Sequence, residues 1–151
     1  MANKKLIDYL EQNHVHYESR HHDDSSTALE TARKAHVPSH ELAKTVLVNV
    51  DGELAMAVLP ADERIDLEKV RQTARARRVT LATESAFEER FDDCEVGAMS
   101  PFGNLYGMDV YASDHLAEDA QIAFSGGTHH EVIQLAYRDF ERLVHPKIVA
   151  S

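Results

Sequence analysis

The sequence predicts an α/β chain of the α+β type, one domain in which a mixed, largely antiparallel β-sheet is wrapped by helices. Three observations predict it. The 151 residues are 43% hydrophobic and 28% charged, ordinary for a globular chain of one domain's length. Helical and extended patterns alternate along the chain, which favours helices packed on a sheet. An Asp51-Gly52 pair between two dense apolar runs marks a hairpin, so part of the sheet is antiparallel.

Leu6, Ile7 and Leu10 recur at helical spacing and predict a first helix over 4–13. Residues 16–20 read as a short strand. Thr27-Ala28-Leu29-Glu30 has the form of a capping box, opening a helix that runs to about Ala35 before Pro38 stops it. Ser39 can cap a turn after it. Residues 45–50 form a β-branched run, residues 53–59 the return strand, and Pro60 is expected to break it. A third helix is expected over 66–77 and a brief strand over 79–82. Ser85 and Glu88 suggest a second capping box, opening a short helix to Phe91. The segment from Gly97 to Asn104, with glycine at 97 and 103 and Pro101 between them, suits neither helix nor strand and reads as a shaped loop. Strands follow at 109–112 and 121–124, then a Gly126-Gly127 turn. The chain reads as extended over 128–136, and a last helix over 137–144 turns Phe140, Leu143 and Val144 inward.

Composition narrows the function. The net charge of −10 argues against a protein that grips many phosphates, although one that holds only the end of a nucleic acid stays open. Lys69, Arg71, Arg75, Arg77 and Arg78 are the one dense basic cluster, either a solvated face or a nucleic-acid contact. The N-terminal residues lead into a helical pattern rather than a signal peptide, and no stretch approaches the roughly 20 apolar residues that span a bilayer. The expected location is the cytoplasm, with no membrane partner. Cys94 is the single cysteine, so it can form no disulfide within the chain. It lies among Asp92, Asp93 and Glu95, whose charge disfavours a thiolate nucleophile. There are ten histidines, but no His-Glu-x-x-His motif of the kind that places two zinc ligands on one helix, and no metal or other cofactor is expected.

Three segments could carry chemistry. Lys44 opens the β-branched run and could aim an ammonium into a pocket at the sheet edge, toward a phosphate or carbonyl oxygen. The Gly97-to-Pro101 loop could bring free amides close to an ester carbonyl. Gly126-Gly127-Thr128-His129-His130 could present a histidine able to exchange a proton near neutral pH. Singly, each is better read as a strand end, a tight connection and a surface pair.

Together and in this order, these segments resemble the YbaK/prolyl-tRNA-synthetase-associated family of editing domains. The resemblance rests on Ala43-Lys44-Thr45-Val46-Leu47-Val48, on Gly97-Ala98-Met99-Ser100-Pro101 continued by Phe102-Gly103, and on Gly126-Gly127 followed by Val132-Ile133-Gln134-Leu135 and Asp139-Phe140. The helix from Thr27 to Ala32 and on to Val37-Pro38 fits as well. The resemblance implies a trans-editing hydrolase that cleaves a wrongly attached amino acid from the terminal adenosine of tRNA, with water activated largely by the substrate's own ribose hydroxyl. It implies the acceptor end of aminoacyl-tRNA as partner, and an aminoacyl-tRNA synthetase as a second. Lys44, Gly97, Pro101 and His129 would be catalytic, with His130 the alternative histidine. Thr45, Ala98, Met99, Ser100, Phe102, Gly103, Gly126 and Gly127 would bind substrate, and Arg71, Arg75, Arg77 and Arg78 would touch the tRNA. Some alanine-specific members carry asparagine after the lysine where this chain has Thr45. The rival readings are a non-catalytic tRNA- or protein-binding module of the same fold, a metal-dependent hydrolase, and a hydrolase of small esters or amides.

Overall fold

The computed structural model describes residues 3–25, 27–83 and 98–150. The expected capping box at Ser85 and Glu88 with its short helix, Cys94 and Gly97 lie outside them. Helix α1 (Lys4–Gln12) starts where the Asn3 side chain accepts a hydrogen bond from the Leu6 amide, and it buries Leu6 and Leu10. Strand β1 (Tyr17–His21) follows. Helix α2 (Ala28–Lys34) begins as the capping box predicts, with Thr27 Oγ1 accepting from the Glu30 amide at 3.1 Å.

Strands β2 (Ala43–Val50) and β3 (Glu53–Pro60) form the expected hairpin, with Val50 opposite Glu53. Asp51 and Gly52 between them have φ of 50° and 89°, the two positive values that a twist-matched two-residue turn demands. Pro60 does not break β3; it is the strand's last residue, opposite Ala43, where a missing N–H does little harm to the ladder. Helix α3 (Leu67–Ala74) is capped by Asp66 and ends earlier than its sequence pattern, because Arg75 turns left-handed at φ 55°. The chain then leaves the helix, and the Arg77 and Arg78 amides donate to the Asp51 carboxylate at 3.0 and 2.9 Å. Strand β4 (Val79–Leu81), a 3-10 turn at Gly103–Tyr106, strand β5 (Val110–Ser113), a second 3-10 turn at Asp114–Glu118, strands β6 (Gln121–Ser125) and β7 (Glu131–Ala136), helix α4 (Tyr137–Val144) and strand β8 (Lys147–Val149) complete the described order.

The strands divide between two sheets. One has the order β1-β7-β6 and is antiparallel throughout; the other runs β4-β2-β3-β5-β8, with β5 parallel to both β3 and β8. A single bridge between Leu42 and Ala123 joins them, flanked by the Ala123 amide donating to the Glu41 carbonyl and the Ala61 amide donating to the Leu42 carbonyl.

Alternation along β2 explains the layering. Ala43 and Leu47 point into the main core with Leu6, Leu10, Phe102, Phe124 and Phe140. Val48 points the other way, against Val70 of α3, Ala55 and Tyr111. On the far face of the three-stranded sheet, Ala32 and Ala35 of α2 pack on Val132 and Ala123. These layers leave the start of β2 at the seam between the sheets.

Candidate functional site

At that seam lies a cavity of about 490 Å³. Four segments build it: the approach to α2 and its first turns, the start of β2 with Lys44 and Thr45, Met99 from the loop, and Ser125 with His129 from the β6–β7 connection. Lys44 and the glycine-turn histidine, 85 positions apart in the chain, thus line one space. His130 does not line it. Its Nε2 lies 2.9 Å from the Asp24 carboxylate, and its carbonyl accepts from the His22 amide. Of the two histidines left open by the sequence, His129 is the one that faces the cavity.

Lys44 is partly buried, and its Nζ donates to the Ala61 carbonyl at 3.4 Å. Burial holds its pKa below the ordinary lysine value; the Asp62 and Glu63 carboxylates pull it back up, and Arg64 pushes it further down. An ammonium that has lost part of its water is a stronger electrostatic partner for an incoming anion or a developing oxyanion than a fully solvated one.

The loop is buried from Ala98 to Gly103. The Ala98 carbonyl accepts from the Gly127 amide at 2.9 Å, and Gly126 accepts from the Asn3 amide, so the loop and the glycine turn are fastened together. Gly127 takes φ 105°, open to glycine at no steric cost. Ser100 Oγ accepts from the Phe102 amide at 3.4 Å. Pro101 is buried beside it.

Two expected substrate contacts are corrected. Phe102 is fully buried, with its ring 5.7 to 6.1 Å from those of Phe124, Phe140 and Tyr9; it is a core residue. Gly103 is glycine for packing: a Cβ there would come within 2.7 Å of Val110 Cγ2 and 3.1 Å of Met56 Sδ. Neither lines the cavity, and nor do Ala98, Ser100, Pro101, Gly126 and Gly127; of the expected site residues that the structure describes, Lys44, Thr45, Met99 and His129 do. The basic cluster is corrected at one member. Arg71 is bound to Glu68 and to the Ala76 carbonyl, closing the end of its own helix. Arg75, Arg77 and Arg78 are exposed, at the hairpin-tip end of β2 rather than at the cavity.

The sequence reading missed Ser25, Thr27, Ala28, Thr31, Leu42, Ala43 and Ser125 as cavity residues. Ser25 and Thr31 flank the capping box, which a reading for secondary structure treats only as a helix start. Ser125 carries no local signal. Among the described residues no group of three or more His, Cys, Asp or Glu side chains is placed to hold a metal ion, and no helix is long and apolar enough to cross a membrane. A second cavity, of about 240 Å³, lies against α3 and is lined in part by Arg64, Lys69 and His115. It is smaller and contains neither Lys44, Met99 nor His129, so the seam cavity is the better site candidate.

The mixed α+β scaffold thus brings a partly buried ammonium, Met99 of the loop and the histidine after the glycine turn to one cavity. Residues 22–143 match the aminoacyl-tRNA editing domain, and the chain belongs to that family. Solved structures share the fold. One, described only as a hypothetical protein, aligns with a TM-score of 0.85 at 18% identity over 98% of both chains. Another, a proposed trans-editing enzyme for prolyl tRNA synthetase, aligns at 0.83 with 16% identity over 98% of this chain and 94% of its own. A proposed signal transduction protein from Marinobacter aquaeolei VT8 contains the same fold within 29% of its length, at a TM-score of 0.67 and 14% identity.

Proposed function

We propose that this chain hydrolyses the ester linking a wrongly attached amino acid to the terminal adenosine of tRNA. The observation that carries the reading is the convergence of Lys44, Met99 and His129 on one cavity in a chain of the editing family. Lys44 holds the 3′ end of the tRNA through its phosphate or the ester carbonyl. The loop from Gly97 through Ala98 and Ser100 to Pro101 sets the aminoacyl carbonyl against backbone amides, where charge developing on its oxygen is stabilised. Water attacks that carbon and passes a proton to the free ribose hydroxyl, which hands its own proton to the neighbouring ester oxygen. The ester C–O bond breaks as that oxygen is protonated, giving the free amino acid and a ribose with both hydroxyls. Thr45 and His129 shape the remaining wall, and Gly126 and Gly127 set the turn that delivers His129 to it. Arg75, Arg77 and Arg78 meet the tRNA backbone, the cytoplasm is the setting, and a synthetase is the partner that generates the substrate.

The test is release of amino acid from a panel of mischarged tRNAs, including tRNA(Pro), by the wild-type chain and by Lys44→Met. The substitution keeps the aliphatic stem and removes the charge. Loss of a directed electrostatic contact to the transition state lowers the rate about a hundredfold or more. Because burial disfavours the charged form of Lys44, the variant should melt no lower than wild type at neutral pH. Equal rates for the two proteins would remove Lys44 from the mechanism. No release from any tRNA would leave a binding module of this fold.

A further inference from the structure

Strand β1 lies at the rim of its sheet. Among the described residues it pairs with β7 on one side and with no strand on the other. Glu18, Ser19, Arg20 and His21 are exposed. The ladder fixes which backbone groups point outward. The His22 amide donates to the His130 carbonyl at 2.8 Å, one step beyond the register that sets His21 opposite Glu131. Antiparallel pairs alternate between hydrogen-bonded and non-bonded, so Arg20 with Val132 and Glu18 with Gln134 are bonded pairs as well. The N–H and C=O groups of Tyr17, Ser19 and His21 therefore face away from β7. The other side of β7 agrees: the Gly126 amide donates to the Glu131 carbonyl at 3.1 Å, which turns the backbone of Glu131, Ile133 and Leu135 toward β6. The side chains divide in the same rhythm. Ser19 and His21 lean toward the Glu131 carboxylate, while Glu18 and Arg20 share the opposite face. Arg20 Nη1 donates to the Ala35 carbonyl at 3.4 Å, and neither Glu18 nor Arg20 has an ion pair among the described residues.

We propose that β1 is the contact edge of a homodimer, in which two copies pair their β1 strands antiparallel about a two-fold axis at Ser19. Antiparallel pairing of a strand with itself is isologous, so one register must satisfy both copies. Centred on Ser19, that register sets Ser19 against the partner's Ser19 and Tyr17 against the partner's His21. These are the residues whose backbone groups face outward, and together they form about six hydrogen bonds between the chains. The same register sets Glu18 against the partner's Arg20, and Arg20 against the partner's Glu18. These are non-bonded positions, where opposing side chains come closest, so each copy's free carboxylate meets the other's free guanidinium. The two three-stranded sheets become one, in the order β6-β7-β1-β1-β7-β6. A register shifted by one residue along one strand would lose both the backbone fit and the charge match. The second copy is thus the occupant that this edge fits: its hydrogen-bonding phase and its charges are complementary to themselves.

The experiment is sedimentation equilibrium of the full chain, carried up to about 1 mM because a five-residue edge makes a small interface of the weak class. The wild-type mass should rise with concentration from 17.0 kDa toward twice that value. Glu18→Arg sets arginine against arginine, and Arg20→Glu sets glutamate against glutamate, so each variant alone should associate about tenfold more weakly or less. Mixing the two variants should restore association as a heterodimer, because every opposed pair is then arginine against glutamate. A general loss of folding does not produce that recovery. Ser19→Pro removes an outward N–H and no bond to β7, so it should abolish the dimer while circular dichroism shows the fold retained. A wild-type chain that stays monomeric across the range overturns the proposal. So does a dimer that survives Ser19→Pro and both charge reversals, since it must form through another face. A mixture that associates no better than its components overturns the register.

Discussion

Phe102 and Gly103 stand inside the segment that the sequence marks as a substrate loop, and both belong to the core instead. The ring of Phe102 touches three other aromatic rings, while Gly103 leaves room for Val110 and Met56 where any side chain would intrude. Their identity fixes how the loop is seated, and only through that where Met99 points. Gly103→Ala should lower stability by about 1–3 kcal/mol, the usual cost of overpacking a filled interior. Denaturant unfolding reads this directly, and an unchanged midpoint would mean that Val110 and Met56 give way freely. Lys44 shows the opposite balance. Its folded pKa lies below the ordinary value, so the fold binds its proton less readily than the unfolded chain does, and its burial opposes stability while it is charged. That opposition eases only as pH climbs through the lowered pKa toward the ordinary one. The residue that weakens the fold at neutral pH is the one to which the proposed reaction gives the substrate's 3′ end.

At the scale of elements, two histidine–carboxylate pairs tie the second 3-10 turn to its surroundings. His115 Nδ1 lies 2.6 Å from Glu63 after β3, and His40 Nδ1 lies 3.1 Å from Asp119 beyond the turn. Hydrogen bonding to the carboxylate raises the pKa of each histidine. A raised folded pKa contributes stability that is fully present below the unfolded value near 6.5 and is lost as pH rises through the folded one. His115→Gln should therefore melt below wild type at pH 6 and close to it at pH 8.5; a pH-independent gap would mean that packing, not charge, is what the substitution removes. The elements that the sequence revealed are those with strong local rules. Asp51-Gly52 dictated the hairpin, Thr27 the start of α2, and the apolar spacing of Tyr137–Val144 the last helix. What stayed hidden obeys no local rule. Strand β8 is three residues long and exists because it adds in parallel to β5. Helix α3 stops at Arg75 without a glycine to announce it. Lys44 and the glycine turn could be nominated from the sequence, whereas the cavity they share arises only when four distant segments meet.

Over the whole molecule, Lys44 and the exposed arginines occupy opposite ends of β2. Six residue steps of strand separate Lys44 from Val50, about 20 Å. A ligand that touches both must be long and negatively charged on one side, which describes a nucleic-acid backbone better than a small ester. Reversing Arg75, Arg77 and Arg78 to glutamate should weaken tRNA binding and flatten its dependence on salt by about 0.9 in log–log slope for each phosphate no longer neutralised. Arg71 does not belong to this set because Glu68 already holds it. Affinity and slope that match wild type would make the cluster a solvated face.

The pairing of β1 with β7 bears on when the protein can work. Tyr17 lies opposite Leu135, and the histidine that faces the cavity precedes β7 by two residues. During synthesis β1 leaves the ribosome without its partner and waits for some 110 further residues, about 5–20 s at ordinary elongation rates. Lys44 and Thr45 are already made in that interval, but one wall of their cavity is not. A nascent chain thus carries an incomplete cavity until the segment from His129 through β7 has been made.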